Sequence, residues 1–249
     1  MKRLLLFFLL VAFTATGASA QGVIIPPTTK PTKPTKPTKP TKPTKPTKPT
    51  KPTKPTPPAR TNNCPDGNHP HMIDLGLPSG TKWACCNVDA SKPEDYGGYY
   101  AWGETITKSG EYSWKTYKHC DGSSSTCHNL GSSICGTQYD VAHVKWGGSW
   151  QLPTDDQIYE LKDECKHVWV IQNGVKGRKF TGPNGASIFL PAAGSRWGTD
   201  FGGISGSVGY YLSGNSSSDF AHYLLFNSDN AYWSAQLRCL GRSVRPVSK

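Results

Sequence analysis

The sequence predicts an α+β fold: a single domain of short strands with one or two short helices, stapled by disulfides and preceded by an extended stalk. Three observations carry that reading. Between residues 61 and 249, short apolar or alternating runs are bounded by Gly, Asn and Pro, and helical periodicity is rare. All eight cysteines fall in the same span, and an even count in a chain with an export signal reads as a disulfide framework. Ahead of it, Lys-Pro-Thr repeats nine times without a break from Lys30 to Thr56.

Residues 1–20 read as a secretion signal. Lys2 and Arg3 are followed by the apolar run Leu4 to Phe13, too short to span a bilayer, and Ala18-Ser19-Ala20 is a small-residue cleavage site. No cysteine follows that site, so nothing points to lipid attachment. The expected location is secreted, periplasmic or associated with a cell surface. Residues 21–60 form the stalk. A three-residue repeat is in register with polyproline II, which places lysines, prolines and threonines on three separate stripes. At about 3.1 Å per residue the repeat would reach roughly 84 Å. It has no large apolar side chain and cannot form a core.

The charge follows the same division. The chain carries a formal +11, yet residues 1–60 hold twelve of its 28 Lys and Arg residues and no acid, so residues 61–249 sum to −1. The domain is therefore not the basic surface that nucleic-acid binding requires. The stalk lysines read first as part of a soluble spacer, with electrostatic contact to an anionic polysaccharide or membrane surface as the alternative.

Residues 61–249 are long enough for one domain burying about 70% of its unfolded surface. Met72 to Leu75 and Lys82 to Val88 read as strands around a turn at Pro78-Ser79-Gly80. Ser91 and Glu94 have capping-box spacing ahead of a short helical turn through Tyr96. The clearest helix follows Pro153: Thr154 and Gln157 form a second capping box, and Ile158, Leu161 and Cys165 share a face. Asp155 and Asp156 suit the positive end of that helix dipole, which explains them without acid–base chemistry. Val168 to Ile171, Lys179 to Thr181 and Ser187 to Pro191 read as strands joined by turns at Asn173-Gly174 and Pro183-Asn184-Gly185. Gly194 to Ser218 reads as a long loop region. Tyr223 to Phe226 and Tyr232 to Cys239 then form a hairpin around Asp229-Asn230, and Ser243 to Val247 a last strand.

Eight cysteines allow about a hundred pairings, and spacing does not choose among them. Cys85 and Cys86 point opposite ways in a strand and need different partners. Cys120, Cys127 and Cys135 lie in a Ser/Gly-rich surface loop. A metal alternative would use Cys120, Cys127, His128 and Cys135, or His69 and His71 near Cys64, but neither has compact CxxC spacing. No metal and no cofactor is expected.

The candidate binding face lies in the last hairpin. Trp233, Ala235, Leu237 and Cys239 alternate with Tyr232, Ser234, Gln236 and Arg238, so the second set should face outward. Tyrosine, serine, glutamine and arginine together supply the amphipathic area and hydrogen bonding of recognition surfaces. Trp197, Tyr210 and Tyr211 are the further aromatics expected near it.

The segments DLGLPSGTKWACCNV, PEDYGGYYAWGE, HVKWGGSWQLPT, TGPNGASIFLPAAG, LLFNSDNAYWS and GRSVRPV resemble, in order, the Fibrobacter succinogenes major paralogous domain family over roughly residues 71–247. The resemblance implies a C-type-lectin-like α+β fold, of the kind seen in formylglycine-generating enzymes, in an exported bacterial protein. It also implies a Cys86–Cys165 bridge, because both match family cysteines. Two inherited chemistries have no residues to support them. Cys239 stands alone where the formylglycine-generating enzymes have a redox pair, and no Glu-Pro-Asn, Gln-Pro-Asp or Trp-Asn-Asp triplet for calcium-dependent sugar binding occurs.

No Gly-x-Ser-x-Gly elbow, His-Glu-x-x-His or phosphate loop is present. The expectation is an exported, non-catalytic binding or adhesion module that presents a face to a glycan or surface protein. A structural envelope spacer is the alternative, ahead of a secreted hydrolase. Oligomeric state is left open.

Overall fold

The computed structural model describes residues 72–201 and 204–249. The expected signal and stalk, with Cys64, His69 and His71, lie outside the described residues. The described chain is mixed α/β in content, built mostly of small antiparallel sheets with few helices and one disulfide. No helix among the described residues is long and apolar enough to cross a membrane.

β1 (Met72–Asp74) and β2 (Lys82–Ala84) pair as expected, with Met72 opposite Ala84 and Asp74 opposite Lys82. Their turn closes by a 2.9 Å bond from the Gly80 N–H to the Leu77 carbonyl, with Gly80 in the left-handed region. The capping box at Ser91 does not form. Ser91 Oγ instead donates to the Asp95 carboxylate, and Glu94 is buried, accepting from Gln172 Nε2 and Asn173 Nδ2 at 2.7 and 2.8 Å. A distant hairpin thus claims the carboxylate that a helix N-terminus would have used.

Two helices follow. α1 (Val141–Trp146) is absent from the sequence expectations; it is nucleated by Asp140, whose side chain accepts from Ala142 and His143. α2 (Asp155–Glu164) carries the expected reciprocal box between Thr154 and Gln157, buries Ile158 and Leu161, and ends at Cys165. β3 (Lys166–Gln172), β4 (Val175–Thr181) and β5 (Ser187–Pro191) form one meander, turned at Asn173-Gly174 with both residues at positive φ.

The Gly/Ser-rich stretch from 194 to 218 is not a loop. It holds β6 (Arg196–Trp197), β7 (Asp200–Phe201) and the nine-residue β8 (Gly209–Ser217). Its glycines are there for close packing: a Cβ on Gly209 would lie 2.2 Å from the Phe226 ring, and one on Gly214 would lie 2.3 Å from Cys135 Sγ. β8 pairs with β9 (Phe220–Phe226), which pairs with β10 (Ala231–Leu237), giving the order β10-β9-β8. Between Leu212 and Ser216 the ladder is interrupted by a bulge.

The expected last strand shortens to β11 (Val247–Ser248), paired with β2. Upstream of it, residues 241–243 make single bridges to Arg196, Tyr100 and Tyr211. Pro246 cannot donate to a ladder, so this segment ties several elements together and joins none for long. Arg245 is fully buried and bonds Asn87 Oδ1 and the carbonyls of Ala84, Cys85 and Phe189 at 2.9–3.2 Å.

One core cluster joins α2 to the sheets through Trp83, Leu161, Phe180, Tyr211, Leu224 and Phe226. A second contains Tyr100, Trp102, Leu152, Leu212 and Val244. Cys120 and Cys127 form the disulfide that closes the loop at 120–127. The Cys86–Cys165 bridge implied by the resemblance is not formed. Cys165 is a buried thiol in the α2 core, pushed up to about 11 mainly by burial, while Cys86 Sγ lies 3.4 Å from the Ala90 carbonyl.

Candidate functional site

β10 is half-covered on both sides, so its expected alternation holds only in part. Tyr232 is 46% exposed, as expected. Ser234 and Gln236 are half-buried, and Gln236 Oε1 accepts from Arg242 Nη2 at 2.9 Å. Arg242 is fully buried and lies 4.1 Å above the Tyr223 ring; burial pulls its guanidinium down to about 10. Arg238 does not face outward: it is only 6% exposed, because the chain turns inward after Leu237 and stacks the guanidinium 4.7 Å from the Trp102 ring.

The other expected aromatics separate. Trp197 is 63% exposed on the β6–β7 ribbon, which is bridged to Tyr112 and Gly241. Tyr210 is half-buried against Tyr223. Tyr211 is buried, stacked on Phe226, and donates its hydroxyl to the Pro191 carbonyl at 2.7 Å. Tyr232 borders a shallow depression with Tyr159, His167 and Trp233, six residues and about 20 Å of strand from Arg238. The seven expected residues therefore do not form one face.

Arg238 instead borders a different cavity of about 670 Å³, with His128, Asn129, Ser217, Ser218 and Asp219 around it. The β8–β9 hairpin tip forms one wall, and residues 127–132, which follow the disulfide-closed loop, form the other, held to β8 by the bond from the Ser216 N–H to the Ser132 carbonyl. Most of the lining residues carry polar side chains. Arg238 Nη2 makes one long bond of 3.4 Å to Ser216 Oγ, the Tyr117 hydroxyl lies beside the guanidinium, and Nε has no partner among the described residues. No carboxylate of the described residues is within ion-pair distance, although Asp219 lines the same cavity. Behind it, His119 Nε2 sits 2.8 Å from the Gly103 carbonyl, and burial holds the imidazole below the usual histidine range.

The hairpin tip carries a second arrangement that the sequence does not reveal. Ser217 Oγ lies 2.9 Å from His222 Nε2, and His222 Nδ1 lies 2.6 Å from Asp155 Oδ2. The other carboxylate oxygen of Asp155 accepts from buried Ser213 Oγ at 2.7 Å, and the Asp155 N–H donates to Asn215 Oδ1 at 3.0 Å. Asp155 stands at the start of α2, as its dipole role requires, but its carboxylate is turned to the sheet. Its partners lie 58 and 67 residues further along the chain. The chain carried no local signal that would have joined them.

No protein-family model, curated protein or solved structure matches this chain. The functional reading therefore rests on the residues themselves. Cys120 and Cys127 are joined to each other, so their thiolates are not available to the metal alternative, and no cluster of three or more His, Cys, Asp or Glu side chains suited to a metal occurs among the described residues.

Proposed function

We propose that the chain is an exported bacterial binding module, held on its Lys-Pro-Thr stalk, whose recognition pocket is built around Arg238 and takes an acidic glycan. The observation that carries this is Arg238 itself. A guanidinium withdrawn from water without a carboxylate partner is destabilising by several kcal/mol. A ligand carboxylate or sulfate in the cavity supplies the missing charge, and the serines, Asn129 and His128 offer hydrogen bonds to hydroxyls. The resemblance to the Fibrobacter succinogenes major paralogous domain family, with its C-type-lectin-like fold, supports a binding role. The small antiparallel sheets around two short helices are compatible with that fold.

The test is titration with uronic-acid oligosaccharides and their neutral counterparts. The acidic series should bind and Arg238→Ala should weaken it by at least about 30-fold, the effect of removing one partner of a buried charge pair. Equal binding of acidic and neutral sugars, or unchanged affinity in a folded Arg238→Ala protein, overturns the reading.

A further inference from the structure

Asp155, His222 and Ser217 stand in the order and spacing of an acid–base–nucleophile chain, of which the binding role uses only the Ser217 hydroxyl, at the edge of the Arg238 cavity. The nucleophile is the most exposed of the three. The Asp155 and His222 side chains are 22% and 12% exposed, whereas Ser217 is exposed at the end of β8. The imidazole is walled by the Trp233 ring, edge-on at 4.8 Å, and Ser213 fixes the carboxylate from behind. With Nδ1–H donated to Asp155, Nε2 is left as the acceptor for the Ser217 hydroxyl. The two-residue turn after Ser217 places Ser218 at φ 47°, and the N–H groups of Ser218 and Asp219 donate to no described residue. Free N–H groups next to a nucleophile are what a developing oxyanion needs.

We propose that Ser217, His222 and Asp155 form an acyl-transfer centre that hydrolyses carboxylic esters, in particular O-acyl groups on the polar ligand held beside Arg238. This goes beyond the non-catalytic expectation, and only its selectivity for anion-bearing esters rests on the binding proposal. Ser217 Oγ adds to the ester carbonyl carbon as its proton passes to His222 Nε2. The carbonyl oxygen takes up negative charge beside the turn N–H groups. Collapse breaks the bond to the alcohol oxygen, which leaves with the proton from His222. Water then repeats the sequence on the acyl-serine: it gives a proton to His222, releases the carboxylic acid and restores the Ser217 hydroxyl. Ser217 and His222 are the catalytic residues; Asp155 is a positioning residue that holds the imidazole tautomer.

The same bonds would also pin α2 to the sheet, so the experiment reads covalent chemistry and not stability. The full chain is treated with a neutral alkyl fluorophosphonate and mapped by peptide mass spectrometry, with p-nitrophenyl acetate turnover in parallel. The expected result is one adduct, on Ser217, absent in Ser217→Ala, and a labelling rate reduced at least about 100-fold in His222→Gln. The pH dependence of labelling should disappear in the same variant. An absence of adduct under conditions that label a known serine hydrolase overturns the proposal, as does an adduct that persists in Ser217→Ala. The neutral probe does not need Arg238, so labelling of the unsubstituted chain together with its failure to bind acidic glycans upholds this centre and removes the binding proposal. Acidic-glycan binding without labelling does the reverse.

Discussion

Asp140 is fully buried, and its carboxylate accepts four backbone N–H bonds: from Ala142 and His143 at the start of α1, and from Gly136 and Leu152 across the loop. Burial raises its pKa, opposed by those four donors. Removing the side chain leaves several buried donors unmet, each worth about 1–3 kcal/mol. Asp140→Ala should therefore destabilise the fold by on the order of 3–5 kcal/mol, read as a fall in urea midpoint. A loss below about 1 kcal/mol would show that water replaces the carboxylate. Arg238 and Asp155 teach the same lesson at their own positions. The sequence marked both, one as a surface contact and one as a helix-start charge. Their actual partners come from Trp102 and His222, which only the folded chain brings near.

At the scale of elements, local chemistry located what it could reach. The Thr154–Gln157 box, the Asn173-Gly174 hairpin and β5 each depend on residues a few positions apart, and all three form where the sequence places them. β8 was hidden because glycine and serine composition reads as loop, whereas its conformation is set by pairing with β9 and by the Phe226 ring filling the space over Gly209. Gly209→Ala should then disrupt β8, destabilising by about 1–3 kcal/mol through overpacking. The check is a thermal midpoint, compared with Gly110→Ala, where nothing lies within 4 Å of the added carbon. Equal, small effects at both positions would contradict the close-packing account of β8. Part of the Arg238 cavity wall is the tip of this hairpin, so the first variant should also weaken acidic-glycan binding.

For the whole molecule, acid sensitivity has a definite sign. His119 and His167 are both held below the ordinary histidine value of 6.5, chiefly by burial. The unfolded chain therefore binds protons at a higher pH than the folded one, and stability is complete above that ordinary value. It declines as pH falls from there through the folded values. Urea midpoints should drop between about pH 7 and pH 5, and His119→Gln should flatten the slope. A wild-type midpoint that rises across that interval would contradict the buried, neutral state of these imidazoles.

The candidate site shows where sequence reading stops. Composition alone separated a basic repeat segment from a nearly neutral remainder, and alternation along Tyr232 to Arg238 correctly placed Tyr232 at the surface. The same alternation failed at Arg238, because the strand ends at Leu237 and period-two geometry ends with it.

What the sequence determined by itself is therefore local: the repeat, the charge division, the capped helix and the tight turns, each governed by neighbouring backbone and side-chain chemistry. The tertiary structure alone decided that Cys120 pairs with Cys127, that Arg238 turns inward to a cavity, and that Asp155, His222 and Ser217 meet. Those outcomes depend on contacts between residues far apart in the chain, whose geometry is set by packing and not by spacing.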